Sequence, residues 1–67
     1  MNEEIIYKYL HEADELIKKM EAKGGSDVGD YQIIDILRGK LYLISEVVLD
    51  KELARKALDK GTELGYA

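Results

Sequence analysis

Sixty-seven residues form at most one domain, here expected to be a single helical domain over 1–67, and a chain this short buries only about 60% of its unfolded surface. With no cysteine and one histidine it has neither disulfide staples nor a thiolate or histidine-based structural zinc site, so support must come from helix packing or self-association. A composition 46% hydrophobic and 36% charged is too apolar for a disordered tail and too charged for a membrane span, and a net charge of −4 disfavours nucleic acid as a partner.

The longest uninterrupted apolar run is Leu41 to Ile44, which leaves no transmembrane helix or signal h-region and makes a cytoplasmic setting the default expectation. Basic residues do cluster at Lys18, Lys19 and Lys23, but Glu15 and Glu21 are interleaved with them.

The first helix is expected from about Asn2 to Lys23. Asn2 is a good N-cap, and Glu3 and Glu4 place negative charge against the positive end of the helix dipole. Ile5, Ile6, Tyr9, Leu10, Ala13, Leu16, Ile17 and Met20 fall on one arc of roughly 140°. The outer side offers Glu4–Lys8, Asp14–Lys18 and Glu15–Lys19 pairs at i,i+4, acid first. Gly24 and Gly25 supply the left-handed conformation that ends a helix. The connection through Asp30 fits an antiparallel hairpin, and Ser26, Asp27 and Asp30 all compete as N-cap of the next helix.

The second helix is expected from about Asp30 to Val48. Its apolar residues, from Ile33 to Val48, spread over roughly 180°, whereas one neighbouring helix covers about 100°. The arc divides at Lys40 into two seams, Ile34–Leu37–Leu41–Val48 and Ile36–Leu43–Val47, one for the hairpin and one for a partner. Gly39 is internal, costs about 1 kcal/mol relative to alanine and hints at a close backbone approach or a slight kink. Asp50 is a natural N-cap for a third helix, Lys51 to about Leu64, whose inward face is Leu53, Ala54, Ala57, Leu58, Gly61 and Leu64. No segment alternates with period two. The expected fold is therefore all-α: a helical hairpin (about 2–23 and 30–48) plus a shorter third helix (about 51–64), packed into a homo-oligomeric bundle.

Lys40, lying between Ile33 and Val47 with Ile36, Leu37, Leu43 and Ile44 around it, has two readings. It is a point charge gripping an anionic ligand or acidic partner, or a snorkelling stem whose ammonium reaches solvent or a carboxylate such as Asp35; the second is preferred. The ladder Ala57-x-x-x-Gly61-x-x-x-Gly65 either permits close packing or contains the glycine that terminates the third helix, the termination being preferred. His11 lies on the charged side of the first helix and reads as an exposed histidine. Asp27, Asp30 and Asp35 lack the order of a calcium loop, and the loop glycines neither follow a strand nor precede Lys-Ser/Thr, so capping and solvation are the better account.

Without a thiol, a Ser-His-carboxylate set or a metal-ligand cluster, no catalytic residue, metal or cofactor is assigned and the chain is not expected to be an enzyme. The expected function is a non-enzymatic interaction protein that self-associates through Ile33, Ile36, Leu43, Val47, Ala57 and Gly61 and acts as an adaptor or inhibitor of another protein. A second possibility is an oligomer that sequesters a small anionic ligand such as a nucleotide between protomers, using Lys40 or the Lys18/Lys19 pair with Tyr7 and Tyr42 as stacking faces. Neither involves nucleic acid binding or membrane insertion.

Overall fold

The computed structural model describes residues 3–66 and consists of three α-helices, α1 (Glu3–Lys23), α2 (Val28–Val47) and α3 (Lys51–Gly65). Asn2, the sequence-level N-cap of α1, lies outside the described residues. Local chemistry accounts for the other helix ends. Gly24 takes the left-handed conformation at φ +74°. The Gly25 N–H then donates to the Met20 carbonyl at 3.1 Å and the Gly24 N–H to that of Glu21 at 3.2 Å, which satisfies two of the carbonyls that a helix end leaves open.

Of the three competing caps for α2, Asp27 prevails, so the helix begins at Val28, two residues before the expected Asp30. The Asp27 carboxylate accepts from the Asp30 N–H at 3.0 Å, and the Asp30 carboxylate accepts from the Asp27 N–H at 3.2 Å. This reciprocal capping box satisfies two orphan donors at once, with aspartate in the position usually held by Glu or Gln. Asp50 caps α3 as expected, accepting from the Leu53 N–H at 3.1 Å.

The core is assembled from one stripe on each helix: Ile6, Ala13, Leu16 and Met20 of α1; Ile34, Leu37, Leu41 and Ile44 of α2; Leu53, Ala57 and Leu64 of α3. The stripe on α1 is the expected face, with Ile5 left partly outside it. On α3, Ala54 is half-buried and Leu58 is exposed, so that face is narrower than expected.

The closest packing is between α2 and α3, not within the α1/α2 hairpin. Small residues on α3 are the reason. A Cβ on Gly61 would stand 2.8 Å from Tyr42 Cε1, and one on Gly65 would stand 3.2 Å from the Arg38 guanidinium carbon. Gly61 lies inside the helix and Gly65 is its last residue, but neither takes the left-handed conformation of a terminating glycine; the cap is Tyr66, whose φ is −106°. Gly39 shows the opposite. Nothing lies within 4 Å of the Cβ it lacks, so it marks no close approach inside the protomer.

Charges on α1 are also redistributed relative to the local pairs read from sequence. Lys18 pairs with Glu15 at 3.7 Å instead of Asp14. Asp14 is taken by Lys60 of α3 at 2.5 Å, and Lys19 reaches Asp30 at 3.7 Å instead of Glu15. Tertiary neighbours displace i,i+4 partners because each such local pair contributes only about 0.2–0.5 kcal/mol. The three helices form a short rod with extents of 36 × 16 × 16 Å.

Candidate functional site

The two seams of α2 separate in the fold along the line of Lys40. Ile34, Leu37, Leu41 and Ile44 are buried, whereas Ile33, Ile36, Leu43 and Val47 remain 49%, 61%, 61% and 50% exposed. On α1, Ile5, Tyr9, Glu12 and Leu16 recur at helical spacing and face the same strip. Lys40 stands between two shallow grooves. One, of about 380 Å³, is lined by Glu12, Leu16, Ile33, Ile36, Leu37 and Lys40; the other, of about 260 Å³, by Ile5, Tyr9, Lys40, Leu43 and Ile44.

The Lys40 ammonium lies 5.0 Å from the centroid of the Tyr9 ring. Its methylene stem therefore runs across apolar surface while the charge rests on an aromatic face, an arrangement worth about 0.5–1 kcal/mol at an exposed site. Of the two destinations offered for a snorkelling ammonium, solvent or a carboxylate such as Asp35, the carboxylate is not the one it takes: the charge rests on Tyr9.

The remaining candidates lie elsewhere. Ala57 is fully buried and Gly61 is buried against Tyr42, so both belong to the intrachain α2/α3 contact and not to a face open to a second protomer. Tyr42, expected as a stacking face for a ligand, is instead half-buried in that contact. Its hydroxyl lies 3.5 Å from Thr62 Oγ1, and the Arg38 guanidinium carbon lies 5.7 Å from its ring centroid. The Thr62 hydroxyl, and after it Arg38, hold the Tyr42 phenol below its ordinary value of 10.0. Tyr7 is exposed on the side of α1 turned away from Tyr9. Lys18 and Lys19 are each within ion-pair distance of a carboxylate, and His11 is exposed. Lys40, Tyr7, Tyr42 and the Lys18/Lys19 pair therefore do not converge on one site.

Two ionic clusters, centred on Lys23 and Lys60, lie away from Lys40. Lys23 pairs with Asp30, which is only 2% exposed, and with Asp27 at 3.1 Å. The Lys23 hydrogen bond, followed by the Asp27 N–H, holds Asp30 below the ordinary 3.8. Asp27 is lowered first by the Asp30 N–H and then by Lys23. Lys23 is raised above 10.5, first by Asp30 and then by Asp27. Lys60 is raised in the same way by Asp14 and then Glu63, at 2.5 and 2.8 Å, tying α3 to α1 beside a groove of about 320 Å³.

Among the described residues no group of three or more His, Asp or Glu side chains is placed to hold a metal ion, and no helix is long and apolar enough to cross a membrane. Sequence reasoning missed the Arg38/Tyr42 contact on Gly61 and Gly65. The signal was present: two large residues four apart on α2, and two glycines four apart on α3. Compared with known families, curated proteins and solved structures, the chain matches none.

Proposed function

We propose that this chain is a non-enzymatic interaction protein that works as a homo-oligomer, with the α1/α2 face as its self-association surface. The observation that carries the proposal is the strip Ile33, Ile36, Leu43 and Val47, four large aliphatic side chains each about half exposed or more on one side of one helix. Singly exposed apolar residues need no explanation, but a contiguous strip does. Bound to itself, the protein presents its outward faces to a target and serves as an adaptor or inhibitor.

Sedimentation velocity at micromolar concentration tests this. The wild type is expected to run as a dimer or larger species, and Ile36→Glu/Leu43→Glu as a monomer with unchanged helical circular dichroism. A well-folded wild-type monomer at these concentrations overturns the proposal.

A second function, sequestration of an anionic ligand between protomers, is supported by the groove of about 380 Å³ beside Lys40. Glu12 in that groove opposes an anion, and Lys18 and Lys19 are already within reach of carboxylates. Thermal-shift measurements with nucleotides separate the two functions, since a bound ligand stabilises by RT ln(1+[L]/Kd). Stabilisation that Lys40→Met abolishes would move sequestration to first place.

A further inference from the structure

The geometry points to the occupant of the α1/α2 face and to its orientation: we infer that a second copy docks antiparallel, α2 against α2, across a two-fold axis passing beside Gly39 and Lys40. This rests on the self-association proposed above and deepens it.

The strip is symmetric about its middle. Ile36 and Leu43 lie at nearly equal distances on either side of Gly39–Lys40, and Ile33 and Val47 lie seven residues to either side of Lys40. An isologous interface requires a patch that matches its own two-fold image. In an antiparallel pair Ile36 then meets the partner's Leu43, and Ile33 meets the partner's Val47. A parallel pair gains nothing from this symmetry.

Gly39 gives the face its shape. Helices interlock when a side chain of one enters a hole formed by four residues of the other. Ile36, Gly39, Lys40 and Leu43, at i, i+3, i+4 and i+7, form such a hole on α2, and Gly39 leaves one corner open with nothing within 4 Å of its missing Cβ. Gly39 costs helix stability and serves no contact within the protomer, and a knob from a second copy gives it one.

Lys40 near a two-fold axis brings two like charges together, yet the ammonium is drawn aside onto Tyr9 of its own α1, 5.0 Å from the ring centroid. Glu12, on the α1 side of the same groove, balances it. The two grooves are therefore lined by one charge of each sign, although the chain as a whole is at −4, and contribute no net charge where a second copy docks.

The absence of native cysteine makes the orientation directly measurable. Ile33→Cys and Val47→Cys proteins are treated with a bis-maleimide spanning about 10 Å, the separation of packed helices, alone and as a mixture. In the antiparallel pair the two Ile33 positions lie about 21 Å apart, so the mixture yields the crosslinked heterodimer and each protein alone yields little. Sedimentation of the same samples shows whether they associate. Efficient crosslinking of Ile33→Cys to itself in a sedimenting dimer overturns the orientation and leaves self-association standing; a wild-type monomer overturns both. Gly39→Leu provides an independent reading. Filling the hole is expected to weaken dimerisation at least tenfold with helical content unchanged, and an unaltered dimer would refute the proposed packing.

Discussion

At the scale of single residues, the two glycines inside helices are expected to respond in opposite ways to added side-chain volume. Gly39 faces open space in the protomer, so Gly39→Ala is expected to raise stability by about 0.5–1 kcal/mol through helix propensity alone. Gly61 sits under the Tyr42 ring, and Gly61→Leu is expected to lower stability by about 1–3 kcal/mol through overpacking. Urea denaturation of dilute, monomeric protein checks both. Loss of stability at 39, or none at 61, would show that the α2/α3 register is wrong. In a chain of this length, where total stability is roughly 3–10 kcal/mol, either change is easily resolved. From sequence alone Gly39 hints at a close approach and Gly61 or Gly65 at a helix end, whereas in the fold Gly39 faces open space and Gly61 makes the close contact. Their difference is set by which α2 residue lies opposite, and that depends on the helix crossing, which local spacing does not encode. Lys40 shows the same divide. Its place between two seams was legible from periodicity, but its resting point on the Tyr9 ring is a tertiary outcome.

At the scale of elements, helix existence and facing were legible because the 3.6-residue pattern and the caps agree. The boundaries were legible where one cap stood alone, as at Asp50, and ambiguous where three competed. Asp50→Ala is expected to cost about 1 kcal/mol, read as a lower urea midpoint with an unchanged slope. At the start of α2 the choice of Asp27 is tied to a long-range fact, the reach of Lys23 and Lys19 from α1 onto Asp30. This junction also sets a pH dependence. Asp27 and Asp30 have folded values below the ordinary 3.8, so their contribution is complete above that value and is lost as pH falls through their folded values. Lys23 has a folded value above 10.5, so its contribution holds below 10.5 and is lost as pH rises through the folded value. Urea midpoints followed from neutral pH downward are expected to fall below about 3.8, and Asp30→Asn should flatten that acid limb. An Asp30→Asn profile parallel to wild type would show that the Lys23 pairing contributes nothing.

For the whole molecule, the order of packing differs from the order along the chain, and this has a dynamic consequence. The exposed surface of 4647 Å² exceeds the roughly 4,300 Å² usual for a monomer of 7.6 kDa, as suits a short rod with an uncovered side. α2 and α3 are the most closely packed pair, while α1 borders the exposed strip and its grooves. Local opening is easiest where fewest buried contacts are broken. Hydrogen exchange is therefore expected to be faster for interior amides of α1 than for those around Leu41 and Ala57. A second copy on the α1/α2 face changes this selectively. Opening α1 would then break the interface as well, so its exchange should slow as protein concentration rises through the dimerisation range, while amides of α3 that exchange by local opening keep their rates. Concentration-dependent exchange followed residue by residue distinguishes the faces of the rod. Slowing confined to α3 would place the partner on the opposite side, and uniform rates at all concentrations would mean that no partner copy is bound.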